Sequence, residues 1–200
     1  MNIAEIREIL EKEESYAGVN MNIPRELKRR AATLCREYNQ LSPEKEERRR
    51  EILEELLGSC HPLTFIEPDF RCDYGFNIHT HGLTVMNYNC VILDTSPVHI
   101  GANAFIAPGV CLACAGHSLD AGQRAEGIGT SAPIILEDDV WIGANAVVCG
   151  GVTIGKGSVI GAGSVVTHSI PAGVVAAGVP CRPVRPVEEK DRIPLDSLVF

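Results

Sequence analysis

Residues 136–167 read LEDDVWIGANAVVCGGVTIGKGSVIGAGSVVT, and their apolar residues return every six positions. Leu136, Ile142, Val148, Ile154, Ile160 and Val166 stand in one phase, and Val140, Ala146, Val152, Ser158 and Ser164 follow four places after the first five of them. Gly143, Gly155 and Gly161 come directly after an apolar position. A helix needs apolar spacings of three and four, and a half-buried strand needs alternation. A period of six fits a strand of one hexad that turns a corner of roughly 120°, so that three hexads close a coil of about eighteen residues. The large side chains then stack inside such a three-sided prism, and the small residues fit its corners. The pattern predicts a mainly β protein built on a parallel β-helix.

The phase continues upstream through Ile100, Ile106 and Leu112, with Ala104 and Val110 as small partners. Between Leu112 and Leu136 lie four hexads, so the chain that leaves the coil there returns in register. That excursion, 116–133, reads GHSLDAGQRAEGIGTSAP and begins at His117. The flat faces of a prism offer little catalytic apparatus, and a polar loop of this size is where chemistry is expected. Coils are also expected over 65–97, although the period is poor there. The N-terminal segment reads as a charged helix over 2–14, a break at Tyr16 to Val19, a helix from Arg25 to Asn39 opened by Pro24, and a third helix to about Leu57 capped by Ser42 and Pro43. Five prolines after Thr167 predict a tail without a long regular element. The expected division is a helical segment 1–58, a β-helix 59–170 with the loop 116–133, and a tail 171–200 on the last coils.

Composition narrows the function. The formal net charge is −8 over 200 residues, with no basic stripe for nucleic acid. No apolar run reaches the roughly eighteen residues of a membrane span, and the charged N-terminus is unlike a signal peptide, so no membrane partner and a cytoplasmic location are expected. Eight scattered cysteines suit a reducing compartment, and Cys111-x-x-Cys114 is expected to be coil packing. Gly150 to Lys156 nearly spells a phosphate loop, but Gly157 stands where a hydroxyl should hold magnesium. His79-x-His81 is weak as a metal pair. The run of Glu, Lys and Arg over 44–51 reads as a solvated helix face.

Tyr74-Gly-Phe-Asn-Ile-His79, Asn87-Tyr-Asn89, Gly116-His117, Asp139-Val-Trp-Ile-Gly-Ala144, Gly161-Ala-Gly-Ser-Val-Val-Thr167 and Ala176-Ala-Gly-Val-Pro-Cys-Arg182 occur in that order. Together they resemble the maltose and galactoside O-acetyltransferases, a family of hexapeptide-repeat acyltransferases, from about Tyr16 to Arg185. The resemblance implies a left-handed β-helix with an N-terminal helical segment and a protruding loop, assembled as a homotrimer with sites between subunits. It also implies acetyl-CoA as co-substrate, a sugar hydroxyl as acceptor, and no required metal.

By the same resemblance His117 is the general base. An alcohol is barely ionised and imidazole titrates near neutrality, so His117 would take the hydroxyl proton as oxygen attacks the thioester and return it to sulfur. Asp120 and Glu126 are candidates to orient its ring. Asn87, Asp94 and Phe76 match acceptor positions. Trp141, Ala144 and Ala162 match the donor groove, and Thr167, His168, Arg182 and Arg185 match acetyl-CoA contacts, the arginines suiting phosphate. Two departures stand out: Gly18 replaces an expected Asp, with Asn20 or Asn22 as substitutes, and His168 replaces a usual Lys. A β-helical zinc enzyme of the carbonic anhydrase type would need a second loop histidine five residues on, where Gly122 stands. A scaffold without activity would leave the loop, Trp141 and the arginines without a purpose.

Overall fold

All nine in-phase apolar residues from Ile100 to Val166 point inward and are at most 2% exposed in the computed structural model, which describes residues 1–199. The small partners Ala104, Val110, Val140, Ala146, Val152, Ser158 and Ser164 are buried with them. Leu136 pairs with Ile154, Ile142 with Ile160 and Val148 with Val166, each eighteen residues apart (154 − 136 = 18), and the strands are parallel. Three sheets of such strands make the three faces of a solenoid. Each buried Val, Leu or Ile is worth roughly 1.5–3 kcal/mol against exposure, so the ladder inside the prism dominates its stability. The serines at the last corners do more than fit. Ser158 Oγ donates to the Pro171 carbonyl (2.7 Å) and accepts from Val174 N–H (3.2 Å), and Ser164 Oγ accepts from Gly178 N–H (3.1 Å). They tie the chain beyond 170 to the coils.

The early coils are longer. Ile66 pairs with Met86 and Met86 with Ile106, twenty residues per turn (86 − 66 = 20; 106 − 86 = 20). The inward residues Met86, Ile92, Ile100, Ile106 and Leu112 step by six, eight, six and six. The two additional residues therefore lie at one edge, between Ile92 and Ile100, and one coil earlier between their register partners Cys72 and Thr80. The excursion between Leu112 and Leu136 leaves from this same edge, one level along. Two widened corners and the loop are stacked on one another, and the other two edges stay tight. At the first tight edge Asn89 and Asn145 take left-handed backbone (φ 60° and 57°), a conformation Asn tolerates better than most residues.

Three helices close the N-terminal end of the prism: α1 (Ile3–Leu10), α2 (Arg25–Gln40) and α3 (Glu46–Leu56). Leu34 and Tyr38 of α2 and Ile52, Leu53 and Leu56 of α3 join the core of the first coils. Tyr38 OH donates to the Ile66 carbonyl, and the Asn39 amide pairs with both backbone groups of Phe70, at 2.9 Å each. Asn39→Ala removes both bonds and should lower unfolding free energy by about 1–3 kcal/mol in a urea titration. α1 is shorter than expected, ending at Leu10. α3 begins at Glu46 because Lys45 N–H closes a turn on the Ser42 carbonyl (3.0 Å) and Lys45 keeps a non-helical ψ of 50°, so Ser42 and Pro43 form a turn and no cap.

Two other segments differ from expectation. Tyr16–Val19 is a strand. The tail forms a hairpin of Val174–Gly178 and Cys181–Pro186, which continues the face that carries Trp141. Pro183 and Pro186 are tolerated because the second strand is the sheet's edge. The last position of the expected tail, Phe200, lies outside the described residues. No helix among the described residues is long and apolar enough to cross a membrane.

Candidate active site

The excursion is an antiparallel hairpin of Ala115–His117 and Ile128–Ser131, with a short helix α4 (Ala121–Ala125) at its tip. Tyr16–Val19 adds a third strand on the far side. The base is pinned to the widened corner. Ser131 Oγ is bonded to Thr95 Oγ1 (2.6 Å) and Ser96 Oγ (2.7 Å), and Tyr16 OH donates to the Thr95 carbonyl (2.8 Å). Gly129 lacks the Cβ that would stand 2.5 Å from the Asn20 side chain, so the N-terminal strand can lie close. Hairpin, strand, corner and the start of α2 enclose a cavity of about 690 Å³ whose wall includes Tyr16, Asp73, Tyr74, Thr95, His117 and Thr130.

His117 is exposed and faces this cavity from the edge of the hairpin, opposite Gly129. Neither expected orienting carboxylate reaches it. Asp120 caps α4, accepting from Gln123 N–H at 2.9 Å, and Glu126 is the C-cap of the same helix. Among the described residues no side chain bonds the His117 ring, so within one chain its orientation is open.

The expected acceptor residues separate. Asp94 is wholly buried behind the wall. Its Oδ1 accepts the N–H groups of Asp73 (2.9 Å) and Tyr74 (2.8 Å), which shapes the widened corner, and its Oδ2 has no partner. The neighbours Asp73 and Thr95 face the cavity in its place. Phe76 is also buried: it stacks on Tyr74 (5.4 Å between centroids) beneath Ile6 and Leu10 of α1, with the Arg7 guanidinium 4.6 Å from its ring. In this chain Asp94 and Phe76, expected at the acceptor, lie behind the cavity wall, where Asp94 bonds the backbone of the widened corner and Phe76 packs beneath α1. Asn87 is half-buried at the first tight edge, away from His117, with Oδ1 accepting from Tyr88 N–H (2.8 Å). Gly18 has open space where a side chain would be. Of its two suggested substitutes Asn20 lines the cavity and Asn22 does not.

Burial raises the Asp94 carboxyl to about 6 from 3.8, so the folded protein binds more protons than the unfolded chain between about pH 4 and pH 6. The contribution of Asp94 to stability therefore falls as pH rises through that window and is flat above it. Asp94→Asn should remove this slope. Melting temperature followed from pH 4 to pH 7 should drop less in the variant than in the parent, and parallel curves would contradict the burial argument.

The donor candidates are spread over the prism, two of them on the loop edge and the others away from it. Trp141, 53% exposed, stands on a flat face in register between Phe105 and Val159. Ala144 and Ala162 stack at the same tight edge as Asn87, joined by Gly163 N–H to the Ala144 carbonyl (2.8 Å). Thr167 and His168 are exposed on the loop edge, Thr167 Oγ1 lying 3.0 Å from His168 Nδ1. Arg182 and Arg185 project from the terminal hairpin. Among the described residues Arg182 pairs with no carboxylate, whereas Arg185, expected at the same donor, is bonded to Asp191 at 2.6 and 2.9 Å.

The remaining motifs lie elsewhere. His79 and His99 stack at 5.0 Å, and His81 Nε2 lies 3.1 Å from His99 Nδ1, whose Nε2 meets Glu13 at 2.8 Å. Among the described residues no group of three or more His, Cys, Asp or Glu is placed to hold a metal ion. All eight cysteines are free thiols. Lys156, in the near phosphate loop, faces Asp138 (3.5 Å) and Asp139 (3.6 Å). Another hollow, about 780 Å³ between α3 and the first coil, holds none of the residues expected to act.

Residues 133–168 match the family described as bacterial transferase hexapeptide (six repeats), and residues 24–61 match the maltose acetyltransferase hexapeptide capping motif. The chain is 42% identical over 163 residues to galactoside O-acetyltransferase of Escherichia coli (strain K12), covering 82% of this chain and 80% of that one. It is similar to a solved galactoside acetyltransferase in complex with coenzyme A, with a TM-score of 0.87 and 38% identity over 96% of this chain and 94% of that one. A hexapeptide-repeat containing acetyltransferase from Vibrio cholerae O1 biovar eltor, complexed with acetyl coenzyme A, superposes with a TM-score of 0.84 and 36% identity over 92% and 99% of the two chains.

Proposed function

Starting from the membership of this chain in the maltose and galactoside O-acetyltransferase family of hexapeptide-repeat acyltransferases, we infer that it moves an acetyl group from acetyl-CoA to a sugar hydroxyl with His117 as general base. The observation that carries the assignment is His117 itself, an exposed imidazole in the wall of a cavity of about 690 Å³ roomy enough for a sugar. His117 removes the hydroxyl proton as the oxygen bonds to the acetyl carbon. The tetrahedral intermediate then breaks its C–S bond, and His117 returns the proton to the departing sulfur. The thioester supplies the activated acetyl group. The small residues Ala144 and Ala162 leave an open edge for a pantetheine arm, Trp141 offers an exposed ring beside it, and Arg182 is free for phosphate.

The cavity and the edge that carries Asn87, Ala144 and Ala162 are different edges of one prism, which supports a site shared between copies. The face between those edges carries Val91, Leu93, Cys111, Ala113, Val147, Cys149 and Val165 on its outside, all half-buried and uncharged. If copies pack through this face around a threefold axis, the Asn87 edge of one meets the His117 edge of the next, and each seam holds one complete site. Asn87 then offers an amide to the acceptor or to the developing oxyanion.

The test is an acceptor panel of mono- and disaccharides with free CoA as the readout, beside a control without acceptor for thioester hydrolysis. CoA release that depends on a sugar and yields an acetyl ester supports the reading. Release that is equal with and without every sugar contradicts it.

A further inference from the structure

The acceptor cavity is unusual in its charge. Arg25, Lys28 and Arg29 all line it from the first turns of α2, at positions i, i+3 and i+4 that share one face of the helix. Asp73 is the one carboxylate in its wall among the described residues, and Lys28 neutralises it at 2.8 Å. Arg25 and Arg29 are exposed and pair with no carboxylate among the described residues. Two uncompensated guanidinium groups thus face a sugar-sized hollow in a chain whose net charge is −8. A neutral sugar gives such groups nothing they could not take from water, whereas a phosphate or carboxylate oxygen accepts paired, charge-assisted hydrogen bonds from guanidinium. The bulk of the protein repels anions, so the local excess of positive charge also steers them to this mouth.

We propose that the acceptor is an anionic sugar, one bearing a phosphate or carboxylate substituent, and that Arg25 and Arg29 select it. The reading rests on the acetyl transfer proposed above, with His117 at the hydroxyl and the two arginines at the charged substituent. The same arginines could serve the phosphates of the donor, and the experiment separates the two sources.

The intact protein is assayed with matched pairs, glucose against glucose 6-phosphate and glucose against glucuronate, and binding of each sugar without acetyl-CoA is measured by calorimetry. The anionic member should lead by at least about tenfold in kcat/KM or in affinity, and the lead should shrink as salt is raised. In the Arg25→Glu/Arg29→Glu protein that ratio should collapse by about tenfold or more while the KM for acetyl-CoA stays within about twofold. Equal or better use of the neutral sugars by the parent overturns the proposal. A rise in acetyl-CoA KM with an unchanged acceptor ratio also overturns it, by moving the arginines to the donor. If no sugar turns over, the acetyl-transfer reading fails, and calorimetry still decides this one: anion preference lost on charge reversal supports it, and no preference overturns it. A thermal melt and the Arg25→Lys/Arg29→Lys protein, which should keep most of the preference, guard against a folding defect.

Discussion

His117→Ala is expected to lower kcat by about 10²–10⁴-fold, the usual contribution of a positioned general base, while acetyl-CoA affinity changes by less than about twofold. The expectation follows from geometry. The imidazole is exposed on a hairpin strand and bonds to no other side chain among the described residues, so its loss should leave the fold and its melting temperature unchanged. The donor candidates Trp141, Ala144, Ala162 and Arg182 lie elsewhere on the prism, so donor binding should survive. Single-turnover kinetics with saturating acceptor, beside direct acetyl-CoA titration, separates the two quantities. Turnover close to the parent's would remove His117 as the base, and lost donor affinity would make it a binding residue.

Ile142→Ala is expected to destabilise the protein by about 2–5 kcal/mol, and Ile142→Val by about 0.5–1.5 kcal/mol. Ile142 is fully buried and sits in register between Ile106 of the preceding coil and Ile160 of the next. Each coil contacts chiefly its neighbours, so a cavity there weakens two interfaces together. Guanidinium unfolding at equilibrium gives the values. The graded pair matters, because a packed ladder should feel even the loss of one methyl group.

The late coils were legible in the sequence because their corners are tight. One hexad per side leaves no slack, and the apolar residue must return every six positions. The early coils were not, because Asp73 to Asn77 and Leu93 to Pro97 each hold a corner two residues longer, which shifts the phase once per turn. That irregularity was itself readable: Met86, Ile92, Ile100, Ile106 and Leu112 miss the period once only, on the edge where the loop departs. It would have pointed to Asp73 and Thr95 as cavity residues. His117 was legible as the start of the loop. The strand Tyr16–Val19 was not, since it forms only by pairing with Ile128–Ser131, more than a hundred residues away. Nor could a sequence say that Asp94 turns inward to cap backbone while Thr95 turns to the cavity, or that Asp191 captures Arg185. Those outcomes depend on corner geometry and on contacts between distant segments.

Central to the account is a site divided between copies, with His117 from one chain and Asn87 from the next. Co-expression of His117→Ala and Asn87→Ala chains carrying different tags, followed by isolation of assemblies that contain both, tests this directly. In a threefold ring every assembly that contains both variants has one seam of its three with both side chains intact, so the isolated mixed assembly should regain about a third of parental activity although each variant alone has little. Mixed assemblies no more active than the separate variants would place both residues in a single-chain site and contradict the account.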